Sequence, residues 1–185
     1  ACAPVETHMD KTAAALLSLS LLLLAPIPSA HADEPTTSAP AESLAKGDRE
    51  FLEKALRAGL AEERQAGVAL DKAQRKDVRD YAYMLSKDHG SDNAALRALA
   101  QKKNATAITD AGKADADALK RLREEPLNTF DTAYIKACIK THEDALALYK
   151  SAARDVSDAD IQAFAARTVP VLEKHLENAK AILKQ

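Results

Sequence analysis

Residues 130–149 read FDTAYIKACIKTHEDALALY, a stretch in which apolar side chains recur every third or fourth position. Because an α-helix turns once in about 3.6 residues, this spacing places them on one face and predicts an amphipathic helix. The predicted inward face carries Phe130, Tyr134, Ile135, Cys138, His142, Ala145, Leu146 and Tyr149. An imidazole therefore stands near the centre of an otherwise largely apolar face.

Three more segments show the same period and predict long helices over roughly 48–73, over 77–103 and from the link at 155–158 to about Leu183. Short links join the helices in pairs, whereas the connection from 104 to 127 is long and predicts only a short helix at 114–123. Short links join antiparallel neighbours. The sequence therefore predicts an all-α fold, a ferritin-like four-helix bundle with a long connection between its second and third helices.

The other predicted inward faces follow from the same spacing. They comprise Phe51, Leu52, Ala55, Gly59, Glu62, Ala66, Ala69, Leu70 and Ala73 in the first helix, Val78, Tyr81, Ala82, Leu85, His89, Leu96, Leu99 and Ala100 in the second, and Phe164, Thr168, Val171, Leu172, His175, Ala179 and Ile182 in the last. Helix starts are predicted from Asn128 as an N-cap with Asp131 three residues on, and from Ser157 with Asp160 as a capping box.

Composition supports helix and excludes one class of function. The chain has 185 residues, no Trp and a formal net charge of −2. Its many alanines and unbranched side chains lose little conformational freedom in a helix. The near-balanced charge gives no basic surface for nucleic acid, so no nucleic-acid partner is expected.

The N-terminal region predicts export. Residues 1–32 form a leader whose signal peptide spans 9–32, with an apolar run AAALLSLSLLLLA at 13–25 and an A-x-A pattern that predicts cleavage after Ala32. The run is shorter than the ~20 residues that span a bilayer, so no transmembrane span is expected in the mature chain; an uncleaved anchor is the alternative. Residues 33–47 predict a flexible tether, and residues 48–185 the bundle. The expected location is periplasmic or secreted.

The mature chain would retain one cysteine and three histidines. Without a second cysteine no internal disulfide can form, and Cys138 is expected to be buried. His89, His142 and His175 each lie on the apolar face of a different helix, and Glu62 lies on that of the remaining long helix.

Imidazole and carboxylate ligands suit Zn, Cu, Ni or Fe, and a bundle core can hold them on facing helices. The sequence therefore predicts a transition-metal or small-ligand site at Glu62, His89, His142 and His175, supported by Asp88 and Tyr134. Counting from the links places the first three at one depth but His175 roughly 9 Å deeper, which makes it the least secure member.

Three alternatives compete with this four-residue site. Glu62 could bond His89, and His142 could bond Tyr134 or Tyr149, in a buried network that only sets helix register. Cys138 and His142, four residues apart, resemble a thiolate–imidazole pair, but no oxyanion donors accompany them and packing is the simpler interpretation. A carboxylate-bridged di-iron site needs Glu-x-x-His motifs, and none occurs, which disfavours a ferroxidase.

Several segments together resemble the DUF4142 family of exported bacterial proteins. They are FLEKALRAGLAE at 51–62, VRDYA at 78–82 with the Asp-His pair at 88–89, FDTAYI at 130–135 with His-Glu at 142–143, and TVPVL at 168–172 with His175. The resemblance implies a ferritin-like helical bundle, often labelled a predicted outer membrane protein, and supplies no activity. It also implies that the family's pattern positions coincide with Glu62, Asp88, His89, His142 and His175.

Two functional hypotheses follow. The first is a binding protein, non-enzymatic or weakly catalytic, that holds a transition metal or another small ligand in the bundle core. The alternative is a structural or interaction module of the cell envelope, in which the buried polar groups serve register alone and the tether leads to a protein partner.

Overall fold

The computed structural model describes residues 44–106 and 108–185, and in this part of the chain helices joined by short or irregular links occur without strands. The helices are α1 (Lys46–Lys72), α2 (Lys76–Lys102), α3 (Lys113–Glu124), α4 (Leu127–Asp155) and α5 (Ala159–Leu183). The predicted all-α fold is confirmed. The predicted leader, and the tether up to residue 43, lie outside the described residues. Among the helices described, none combines the length and apolarity needed to cross a membrane.

Two buried aspartates show how the four long helices run. Asp131, near the start of α4, accepts hydrogen bonds from the backbone N–H groups of Gln74 and Arg75 in the α1–α2 link. Asp48, near the start of α1, accepts them from Ser157 and Asp158 in the α4–α5 link. Helices α1 and α4 are therefore antiparallel neighbours, and each hairpin binds the link of the other.

The second pair of neighbours is α2 and α5. Lys103, just after α2, contacts Asp158 and Asp160 at the start of α5 at 2.6 and 2.8 Å. The start of α2 meets the end of α5, where the Arg75 guanidinium donates to the Ile182 carbonyl. Helices α1 and α5 thus run one way and α2 and α4 the other. The connection contains α3, the short helix predicted at 114–123; it returns along the bundle and packs against α1.

Both predicted caps are wrong. Pro126 occupies the position before α4 and no side chain caps that helix, so Asp131 is free to reach the α1–α2 link. At α5 the cap is Asp158, one residue after the predicted Ser157, and its carboxylate accepts from the N–H groups of Asp160 and Ile161. The Ser157 N–H is instead bound by Asp48.

The core consists of two apolar clusters. The first, here the Tyr134 cluster, contains Ala66, Val68, Ala69, Val78, Tyr81, Leu85, Phe130, Tyr134, Ile135, Cys138, Ala179 and Ile182 among others. The second, the Tyr149 cluster, contains Phe51, Leu52, Leu56, Leu96, Ala145, Leu146, Tyr149, Ile161, Phe164 and Leu172 among others. Along each long helix the two clusters are separated by one polar residue of the predicted site.

Two predicted core residues are exposed instead. Leu70 is 37% exposed and Val171 38%. Each is adjacent in sequence to a buried residue, and therefore points about 100° away from it around the helix axis. Val68 of α1, in contrast, is buried although it lies outside the predicted inward face, and it shares the Tyr134 cluster with Leu122 of α3. The packing of α3 against α1 explains this second buried side of α1, which the single-face prediction did not include.

Candidate metal centre

Four polar side chains, one from each long helix, meet between the two apolar clusters. Glu62 (α1), His89 (α2), His142 (α4) and His175 (α5) are all buried, and His142 is completely so. We call these four residues the imidazole layer. Because each helix continues as an apolar face on both sides of its polar residue, packing of the two clusters fixes all four at one level.

The predicted offset of His175 is wrong. His142 lies 13 residues before the end of α4, and His175 lies 16 residues after the start of α5. Measured from the helix ends, His142 and His175 differ by about three residues, or roughly 4.5 Å of rise. Their long side chains cover this difference, and the ring centroids lie 5.3 Å apart.

The three imidazoles are close enough to share an ion. One ring nitrogen of each histidine lies within 4.8 Å of those of the other two. The Nε2 of His142 and the Nδ1 of His175 are 3.3 Å apart. Two nitrogen ligands at about 2.0–2.1 Å from a tetrahedral ion lie about 3.3–3.4 Å from each other. This pair therefore already has the spacing of two ligands.

Hydrogen bonds fix the tautomers of both rings. The Nδ1 of His142 lies 2.8 Å from the backbone carbonyl of Cys138, and the Nε2 of His175 lies 2.9 Å from a carboxylate oxygen of Asp88. A carbonyl or a carboxylate only accepts, so each of these nitrogens carries the proton. In the neutral rings the two nitrogens that face each other are then both lone pairs.

Burial supports the neutral state. Desolvation lowers the pKa of His142 below its ordinary value, against the opposing effect of the Glu62 charge. Desolvation also lowers the pKa of His175, against its hydrogen bond to Asp88. Neutral imidazole is the form that ligates a metal. Two lone pairs at 3.3 Å repel each other unless a cation lies between them.

Glu62 contacts two of the three rings without hydrogen bonding either. Its Oε2 is 3.3 Å from the Nε2 of His89, and its Oε1 is 3.3 Å from the Nδ1 of His142. Glu62 Oε1 and His89 Nε2 have no hydrogen-bond partner although both are buried. The predicted Glu62–His89 hydrogen bond is therefore not formed. Glu62 adjoins the three-histidine group rather than completing it.

The supporting residues have different roles. Asp88 is half-exposed and holds His175 in its tautomer, in the manner of the carboxylate–histidine–metal arrangement of known sites. His142 bonds neither Tyr134 nor Tyr149. Burial raises the pKa of the Cys138 thiol far above its ordinary value, so the thiol is protonated and the thiolate interpretation is wrong.

Sequence reasoning missed Asn93. This side chain is only 1% exposed, and its Nδ2 donates to a carboxylate oxygen of Glu63 at 3.0 Å. It lies four residues after His89 on the same face, so helical spacing was the signal that could have identified it. Glu62, His89 and Asn93 all line one small cavity, of about 10 Å³.

Fold and site define a helical bundle with a buried cluster of imidazoles. The chain belongs to the DUF4142 family, a domain of unknown function, whose model matches residues 33–182. The family resemblance predicted from the sequence is confirmed.

The structure is also similar to the crystal structure of a DUF305 fragment from Deinococcus radiodurans. The TM-score is 0.68 at 13% sequence identity, over 76% of this chain and 97% of that one. At this identity the likeness shows the helical fold alone. No curated protein matches the chain significantly.

Proposed function

We propose that this protein binds one transition-metal ion through His89, His142 and His175, with Glu62 beside the ion. The observation that carries the proposal is the 3.3 Å separation of His142 Nε2 and His175 Nδ1, on two rings whose other nitrogens lie against the acceptors of Cys138 and Asp88. A purely structural network would place a proton between two such nitrogens. Here both protons are directed outward, to Cys138 and Asp88.

The charges favour a divalent ion. Three neutral imidazoles are flanked by two carboxylates, of Glu62 and Asp88, so a dication would be balanced when both are ionised. Imidazole suits Zn, Cu, Ni and Fe, whereas soft thiolate ligands would select Cu(I) or Fe–S clusters. The one thiol in the core, Cys138, is protonated and is not part of the three-histidine group. A borderline divalent ion therefore fits best.

We further propose that the ferritin-like bundle acts outside the cytoplasm, in the periplasm or after secretion. The apolar run at 13–25 and the A-x-A pattern at 30–32 support this. In such a compartment the protein would hold the metal rather than catalyse a reaction. The alternative, a structural or interaction module of the envelope, requires that the imidazole layer work without an ion.

Metal titration tests the proposal. Chelator-treated protein is titrated separately with Zn²⁺, Cu²⁺, Ni²⁺ and, without oxygen, Fe²⁺, and bound ion is counted by elemental analysis after desalting. We expect a single tightly held ion per chain. Glu143→Gln, an exposed carboxylate next to His142, is the matched control and should bind like wild type.

His89→Ala, His142→Ala and His175→Ala should each lose most of the affinity while circular dichroism still shows a helical fold. Failure of the wild-type protein to retain any of the four ions would leave the envelope module as the better account.

A further inference from the structure

Buried polar atoms without a partner are concentrated around the small cavity. In the described ranges, five buried side-chain atoms make no hydrogen bond: Glu62 Oε1, His89 Nε2, Asn93 Oδ1, Asp115 Oδ1 and Tyr134 Oη. The first three belong to residues that line this cavity. Since native proteins satisfy nearly all such atoms, three in one place indicate a ligand there.

The size of the cavity limits that ligand. A volume of about 10 Å³ matches the smallest space that holds a single water molecule. Gly59 also lines the cavity, and a Cβ at this position would overlap the Oδ1 of Asn93. The glycine therefore leaves room for the amide to approach α1.

The orientation of the Asn93 amide is fixed by Glu63. A carboxylate oxygen only accepts, so the atom that lies 3.0 Å from Glu63 Oε2 must be the NH₂ group of Asn93. The carbonyl Oδ1 is then left without a donor. Glu62 Oε1 likewise lacks a donor, because the proton of the adjacent His142 Nδ1 is donated to the backbone carbonyl of Cys138.

The missing group must therefore donate two protons, one to Glu62 and one to Asn93. A water molecule meets this requirement and keeps an oxygen lone pair for a cation; His89 lines the cavity and joins it to the three-histidine group. We propose, on the basis of the proposed metal site, that the ion keeps one exchangeable water in this cavity, held by Glu62 and Asn93. Water, rather than the Glu62 carboxylate, is then the fourth ligand.

This assignment makes the centre an open one. Three protein ligands plus a water are the arrangement of catalytic zinc sites, whereas structural sites are closed by four protein ligands. The position can exchange water for another ligand of similar size, such as hydroxide or fluoride. A larger ligand would have to displace Asn93.

Pulsed ENDOR of the Cu²⁺-loaded protein tests the assignment. Wild type should show strong proton couplings from coordinated water that vanish after exchange into D₂O. Asn93→Leu, which removes the acceptor and fills the cavity, should bind as much Cu²⁺ but lose these couplings. Asn178→Leu on α5, outside the cavity lining, is the matched control and should keep them.

The outcomes separate this inference from the metal site itself. Bound Cu²⁺ without exchangeable water couplings in wild type overturns the inference and makes Glu62 the fourth ligand, while the metal site stands. Couplings that persist unchanged in Asn93→Leu also overturn it, since the water then lies elsewhere. If Asn93→Leu does not fold, Asn93→Ala should still bind Cu²⁺ and exchange its water at least several-fold faster; an unchanged exchange rate counts against the inference. Absence of any bound ion would instead contradict the proposed function.

Discussion

The buried carboxylates at the two ends of the bundle differ from the one at its centre. Asp48 and Asp131 are 2% and 9% exposed, and Glu62 is 7% exposed. The two aspartates accept hydrogen bonds from backbone N–H groups of the opposite interhelical link. Glu62 Oε1 accepts none. Burial of a charge therefore does not identify a functional site, whereas several unpartnered polar atoms around one cavity point to one.

The end carboxylates are structural, and the largest effect should appear there. Asp131→Ala strands the N–H groups of Gln74 and Arg75, and should lower the free energy of unfolding by about 3 kcal/mol. Asp144→Ala, which removes an exposed partner of Lys140 on the same helix, should cost less than about 0.5 kcal/mol. Urea denaturation measures both. Equal losses in the two variants would contradict the structural role of the buried end carboxylate.

The centre should respond to metal where the ends do not. An ion that binds only the folded state adds about 2.7 kcal/mol at a hundredfold excess over its Kd. We expect this increment in wild type and, undiminished, in Asp131→Ala. His142→Ala should show none of it. Thermal unfolding with and without ion measures the increment, and its survival in His142→Ala would place the binding site elsewhere.

A smaller effect belongs to the cap of α5. Burial raises the pKa of Asp158, but the hydrogen bond from Lys103 and those from the N–H groups of Ile161 and Asp160 outweigh it, so the pKa lies below its ordinary value of 3.8. Asp158→Ala should cost about 1 kcal/mol. Because the folded-state pKa is the lower one, this contribution is present above pH 3.8 and is lost as the pH falls through the folded-state pKa.

Unfolding measured from pH 7 to pH 3 checks both statements for Asp158. The difference between wild type and Asp158→Ala should stay constant down to about pH 5 and shrink below about pH 4. A difference that instead grew toward acid pH would show that the protonated, neutral form of Asp158 provides the cap.

The smallest expected effect is at Glu62 in metal-free protein. Glu62→Gln removes a buried charge that no hydrogen bond to Oε1 compensates, so the free energy of unfolding should change by less than about 1 kcal/mol, in either direction. Chemical denaturation in the presence of a chelator measures it. A loss as large as that of Asp131→Ala would make Glu62 a structural residue like the end carboxylates.

Much of this architecture could be predicted from the sequence. Hydrophobic period alone located the four long helices to within about two residues, and it selected the three histidines because they interrupt otherwise apolar faces. Depth along the bundle was harder to predict. Counting residues from the links misplaced His175, because the count gives only the height of the backbone, and the side chains of His142 and His175 cover the remaining offset.

What the sequence could not provide is long-range partnership. Asp131 was predicted as the local partner of an N-cap at Asn128, yet it binds a link more than fifty residues earlier in the chain. Asn93 was not identified from the sequence, and its importance depends on the neighbouring Glu63 and Gly59 on another helix. Such contacts follow from how helices are arranged in space, which local period does not encode.

The division of the imidazole layer between the hairpins has a consequence for folding. Glu62 and His89 come from the α1–α2 hairpin, and His142 and His175 from the α4–α5 hairpin. Neither half holds three nitrogen ligands, so a chain in which only one hairpin has formed has no high-affinity metal site. Under the proposed function, the ion would therefore bind only after the two halves have docked, and once bound it would slow their separation.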